Sequence, residues 1–165
     1  MASSAAPSVR FRTTGGRAIS TADVVARGNS LPVLLAFFKT SCPICQLTWP
    51  YLERLHLAYG GKAVHVLAVS QNGVEESRRF FEEWGRATFD LVLDPEPRFD
   101  ASNAFHVDAV PHFALVSPTG SVEEVFEGWS KTRMEALGAR LAASNGMAPV
   151  PVVPAGDPVA DFKAG

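Results

Sequence analysis

The sequence predicts an α/β fold: a central mixed sheet with helices on both faces, a three-layer α/β/α sandwich. Three observations carry this. Leu31–Phe38 is a continuous apolar run of strand length, as a strand buried on both faces requires, and Val64–Val69, apolar except for His65, reads as a second buried strand. Helix-like segments separate the runs. Two further runs, Phe113–Val116 and Val122–Phe126, flank the turn-rich Ser117-Pro-Thr-Gly120 and read as an antiparallel hairpin before a closing helix. Strands alternating with helices, then a hairpin, build such a sandwich.

The elements follow in order. Residues 1–8 are small and polar and are expected to be disordered. Val9–Thr13 and Arg17–Ile19 flank Gly15-Gly16, predicting an N-terminal β-hairpin extension. Ser20 or Thr21 caps a short helical turn through Ala26, closed at Gly28. A helix begins near Cys42 and runs to about Tyr59, stopped by Gly60-Gly61, with Pro50 removing one backbone donor inside it. Glu75–Trp84 is an amphipathic helix that turns Phe80, Phe81 and Trp84 to the core. Phe89–Leu93 is a short strand, placed at a sheet edge. Asp94-Pro-Glu-Pro is a turn before a brief helix, Arg98–Phe105. Lys131–Ala143 is the last helix, with Met134, Leu137 and Leu141 on one face. From Ser144 the chain becomes a Pro/Ala-rich tail without periodicity, expected to be disordered, which leaves residues 9–143 as the folded domain.

Composition narrows the function. At 165 residues the chain is one domain, and eleven Phe provide bulk for a core. Its net charge of −2, with interspersed signs, makes no electrostatic case for nucleic acid or an anionic membrane. No apolar stretch reaches the ~18–20 residues of a spanning helix. The N-terminal segment has no basic start and no apolar core of a secretory signal. The expected location is cytoplasmic if the chain is complete, and periplasmic or otherwise extracytoplasmic if an export signal has been removed.

Only two cysteines are present, at Cys42-Pro43-Ile44-Cys45, directly after the first apolar run. A C-x-x-C where a strand turns into a helix can cycle between dithiol and disulfide, because the helix N-terminus favours a thiolate. The thiolate is the species that attacks a disulfide. Alone, the motif is also compatible with half of a metal site or with structural cysteines.

Context adds a resemblance. The run Pro32–Cys45 with Pro50-Tyr-Leu, the strand Val64–Ser70, Leu91-Val-Leu-Asp-Pro95, Phe105–Pro111 and Phe113–Gly120 resemble, in that order, the thioredoxin superfamily, most of all its TlpA/ResA-type thiol–disulfide oxidoreductases. The resemblance covers about residues 9–143. It implies a thioredoxin-like fold, Cys42 as exposed nucleophile and Cys45 as resolving thiol. It also implies a cis-proline at Pro111, with Val110 contacting an extended substrate through its backbone; the residues alone favour an ordinary trans-proline. Ser41, Pro43 and Ile44 around the sulfurs, with Lys39, are candidate modulators. His112 is either a base or thiolate stabiliser, or a strand histidine pointing away from the sulfurs. No metal or organic cofactor is called for. The implied partners are protein thiols and disulfides and an electron donor or acceptor, met by a monomer.

Three positions depart from the family pattern: Ser41 replaces the usual Trp, while Ala36 and Thr48 stand where thioredoxins and ResA-like proteins respectively carry an acid. Either acid would accept the buried thiol's proton. A peroxiredoxin-like peroxidase is a competing expectation, weakened by Lys39 where its site needs Thr or Ser. A redox-inactive thioredoxin-like interaction domain is another.

Overall fold

In the computed structural model, which describes residues 3–165, an eight-stranded mixed sheet divides two apolar layers. Its strands are β1 (Ser4–Ala5), β2 (Arg10–Thr13), β3 (Ala18–Ser20), β4 (Val33–Phe38), β5 (His65–Ser70), β6 (Asp90–Leu93), β7 (His112–Val116) and β8 (Ser121–Glu127), in spatial order β1-β8-β7-β4-β5-β6-β2-β3. The trio β4, β5 and β6 is parallel; β7 lies antiparallel to β4, and β8 antiparallel to β7. All six residues of β4 are buried, which explains why its sequence shows no polar alternation.

The strand period of two sends alternate side chains of β4 to opposite layers. Leu34, Ala36 and Phe38 face one core, with helices α2 (Pro43–Tyr59), α3 (Val74–Glu83) and α5 (Lys131–Ser144) over it. Val33, Leu35 and Phe37 face the other, covered by α1 (Thr21–Ala26) and α4 (Asp100–Ala104). Helix α1 starts with the expected cap: Ser20 accepts from the Asp23 N–H while Asp23 accepts from the Ser20 N–H, a reciprocal capping box.

Three expectations need correction. Phe89–Leu93 is not at an edge: β6 pairs with β5 on one side and with β2 of the N-terminal hairpin on the other. Within residues 1–8, Ser4 and Ala5 pair with Val122 and Ser121 instead of being disordered. The tail from Ser144 is also ordered: Val152 and Val153 are buried in the α2 core, and Phe162–Lys163 forms a short strand, β10, against β9 (Trp129–Ser130). Backbone pairing, a few hydrogen bonds and the neighbouring Val152 and Val153 hold these segments, and none of these leaves a periodic trace in sequence.

Candidate active site

Cys42 is the N-cap of α2, and Pro43 follows inside the first turn. Proline suits this place because its missing N–H is one that no helical carbonyl could accept from, and its fixed φ matches the helix. The Cys45 N–H points back and donates to Cys42 Sγ at 3.0 Å. The sulfur therefore takes the capping role that a Ser or Asp oxygen usually fills. One turn into the helix, Cys45 is fully buried; Cys42 is partly exposed, and both are free thiols.

Position alone separates their acidities. A hydrogen bond from the Cys45 thiol, helped by the Cys45 and Ile44 N–H groups and by the positive charge of Lys39, brings Cys42 down to about 6 against the opposing effect of burial. Burial, followed by the thiol's own hydrogen bond to Cys42, pushes Cys45 far above the ordinary thiol range. At pH 7 a midpoint of about 6 leaves about nine in ten Cys42 sulfurs as thiolate. One sulfur is thus mostly ionised near neutral pH and its neighbour stays protonated.

The loop before β7 faces Cys42. The Val110–Pro111 peptide bond is cis, and the Val110 carbonyl lies 3.5 Å from Cys42 Sγ, close enough to accept from its thiol. The segment Lys39–Ser41 is braced from behind: Thr40 N–H donates to Asn72 Oδ1 at 2.9 Å, and Gln46 Nε2 donates to the Thr40 carbonyl at 3.1 Å. Below, the Phe38 ring packs at a tilt against Trp49, with centroids 4.3 Å apart, and against Phe80 at 4.9 Å. Such aromatic pairs are each worth about 0.5–1.5 kcal/mol beyond the area they bury, so the first turns of α2 rest on a stiff floor.

The structure gathers Cys42, Cys45, Val110 and Pro111. Ser41 and Pro43 are exposed beside them, Ile44 is half-buried on the α2 core, and Lys39 is exposed but near enough to act on Cys42 by its charge. His112 is elsewhere. It follows Pro111 in β7, but strand alternation turns its ring to the opposite layer, edge-on to Phe37 at 5.8 Å. It is buried, with neither ring nitrogen hydrogen-bonded and Glu127 Oε2 3.9 Å from Nδ1. Burial holds its pKa below the ordinary histidine value, against the carboxylates of Glu127 and Asp108. Of the two readings of His112, the structure supports the strand histidine that points away.

Nothing acidic stands under the sulfurs at the two positions of interest. Ala36 is buried, and the buried Thr48 hydroxyl donates to the Ile44 carbonyl at 2.7 Å, inside its own helix. Among the described residues, no group of three or more His, Cys, Asp and Glu is arranged to hold a metal ion. Residues that sequence reasoning did not single out are the bracing pair Asn72 and Gln46, and Gly128, whose N–H donates to the Pro111 carbonyl at 2.8 Å. An Asn in a loop and a Gly after a strand carry no distinguishing signal of their own.

A mixed sheet flanked by helices on both faces, with a dithiol at the N-terminus of the helix that follows its central strand, defines a thioredoxin-fold protein. The chain belongs to the AhpC/TSA family, whose profile matches residues 2–125. Among curated relatives, it is 30% identical over 96 residues to the thiol-disulfide oxidoreductase ResA of Geobacillus kaustophilus, covering 58% of this chain and 54% of that one. It is 28% identical over 129 residues to the methylamine utilization protein MauD of Paracoccus denitrificans, covering 78% and 59%. The chain thus spans only a little over half the length of these two relatives. In fold it is similar to a thiol:disulfide interchange protein from Bacteroides sp., with a TM-score of 0.72 at 23% identity over 90% of this chain and 92% of the other. The thioredoxin domain of a Bacteroides vulgatus thiol-disulfide oxidoreductase gives 0.65 at 23% identity, over 78% and 91%.

Proposed function

We propose that the protein is a thiol–disulfide oxidoreductase that exchanges its Cys42–Cys45 dithiol with disulfides of partner proteins. One observation carries the reading: the half-exposed Cys42 sulfur caps α2 and is held near an acidity of about 6, one turn from a buried thiol held protonated. The Cys42 thiolate attacks one sulfur of a partner disulfide. A Cys42–partner disulfide forms, and the partner's other sulfur leaves as a thiolate. Cys45 then gives up its proton and attacks Cys42 Sγ; the second partner sulfur leaves. The partner disulfide has gained two electrons, and Cys42–Cys45 has become a disulfide. The reverse sequence oxidises a partner dithiol.

The second step is intramolecular, so its high effective concentration offsets the reluctance of Cys45 to ionise. With Ala36 and Thr48 in place of acids, the Cys45 proton passes to water or to the departing thiolate. Val110, in the loop that Pro111 shapes, offers its backbone to an extended partner segment, a form of strand addition. Direction follows the compartment's redox poise and the partner, and the chain acts as a monomer. Peroxide chemistry is disfavoured because the position three before Cys42 is the exposed Lys39, which has no hydroxyl to orient a peroxide.

Reduction of insulin disulfides by the wild type and by Cys42→Ser tests the reading. Turnover by the wild type that vanishes in the variant is the expected result. Equal residual activity in both would reject it.

A further inference from the structure

Beyond α5, residues 150–165 form a strap that starts along α2. Tyr59 Oη accepts from the Val150 N–H at 2.7 Å, and the Val152 carbonyl accepts from Arg54 Nε at 2.8 Å. Val152 packs against Tyr59 and Gly138, between α2 and α5. Next, Tyr51 Oη donates to the Asp157 carboxylate at 2.9 Å. The contacts therefore step from Tyr59 through Arg54 to Tyr51, toward the end of α2 that carries Cys42.

Past Asp157 the strap crosses to the active-site side. The Ala160 carbonyl accepts from Trp129 Nε1 at 2.6 Å, and the Asp161 carbonyl accepts from the Lys131 N–H at 2.9 Å. Phe162 and Lys163 pair antiparallel with Ser130 and Trp129. Backbone packs on backbone here: a β-carbon placed on Gly128 would stand 2.6 Å from the Lys163 carbonyl oxygen and 2.9 Å from the Gly165 nitrogen. Gly128, at φ +73°, has the left-handed geometry that glycine tolerates best, and it leaves the room. Gly165 comes closest to the site: its β-carbon would stand 2.9 Å from the Val110 carbonyl oxygen. That same oxygen is the one 3.5 Å from Cys42 Sγ.

We propose that Phe162–Gly165 is a tethered competitor for the extended-strand position beside Cys42 that a partner's disulfide-bearing segment takes. The inference rests on the exchange reading of Cys42. Two features fit a segment that leaves while the rest of the strap stays. Residues 161–165 are all exposed, Phe162 at 63%, and they are held by backbone contacts and one surface ion pair, Asp161 Oδ1 to Lys131 Nζ at 3.5 Å. Val152 and Val153, by contrast, are buried in the core and anchor the strap. Segments with few buried apolar contacts open at low cost. Tethering supplies an effective concentration in the millimolar range, enough for weak pairing to keep the position filled.

The test compares the wild type with a protein that stops after Asp161 and with Gly165→Leu, whose β-carbon would stand 2.9 Å from the Val110 carbonyl oxygen and so forces the segment to shift. Neither change touches the buried anchors. The readouts are the rate of reducing a peptide with an internal disulfide and the rate of Cys42 alkylation by iodoacetamide, a reagent small enough to need no strand position. Both variants should reduce the peptide about threefold faster or more, because the competent fraction rises, with alkylation nearly unchanged. An unchanged or lower peptide rate in both, with reduction still abolished by Cys42→Ser, overturns this inference alone. A wild type whose peptide reduction does not depend on Cys42 overturns the exchange reading and this inference with it.

Discussion

Replacing Cys45 by Ala removes the largest of the influences that lower the Cys42 pKa, the hydrogen bond from the Cys45 thiol. The two N–H donors and the Lys39 charge remain. The Cys42 midpoint should therefore rise from about 6 toward the ordinary value, by at least about one pH unit, without reaching the ~8.5 of a free thiol. At pH 6 such a rise lowers the thiolate fraction from about one half to about one in eleven, a fivefold loss. A more basic thiolate is also more nucleophilic, by about threefold per unit, so the net loss of rate at pH 6 is about twofold. At pH 9, where most Cys42 is ionised in either protein, the variant should be about threefold faster. The two pH–rate profiles cross. Initial rates with a small disulfide reagent, followed from pH 4 to 10 alongside thiolate absorbance, read this directly. Superimposable profiles, or a wild-type midpoint near 8.5, would refute the account of why Cys42 is acidic.

Three shorter predictions follow from the same geometry. The Cys42–Cys45 potential should fall by about 59 mV per pH unit below pH 6, where reduction takes up two protons, and by about 30 mV per unit above it, where Cys42 stays ionised; a redox titration across pH checks the break. His112 binds its proton less readily folded than unfolded, so it costs the fold stability as pH falls below the unfolded value of about 6.5. His112→Leu should shrink that acid-side loss in denaturant titrations and leave the Cys42 midpoint in place. Glu53, buried in α2, accepts from the Thr88 N–H at 2.9 Å and from the Thr88 hydroxyl at 2.7 Å; Glu53→Ala should cost about 2 kcal/mol or more in urea unfolding, with the Cys42 midpoint unmoved.

What sequence could and could not convey follows the range of the interactions. The run before Cys42, the proline after it and the glycines after Tyr59 are local signals, and local signals determine where a strand ends and a helix starts. They place two sulfurs at a helix N-terminus without help from the rest of the chain. Long-range pairing is different. Nothing in Asp90–Leu93 announces that the N-terminal hairpin covers its outer side, and nothing in Ser4-Ala5 announces a partner at Ser121-Val122. The orientation of His112 was equally hidden. Every residue of β7 is buried, so neither face carries a polar mark to show which layer a given side chain enters. The tail misled for a physical reason: proline-rich composition argues against helix and sheet, yet two buried valines and a few hydrogen bonds suffice to hold an extended strap against α2.

The central claim is that Cys42 alone makes the first bond with a partner and Cys45 breaks it. The most direct measurement uses Cys45→Ala, incubated with a peptide bearing an internal disulfide and mapped by mass spectrometry. A stable adduct joined through Cys42 should accumulate, whereas the wild type should pass through it to free peptide dithiol and a Cys42–Cys45 disulfide. A Cys45→Ala protein that forms no adduct, or one that releases reduced peptide as fast as the wild type, would contradict the account.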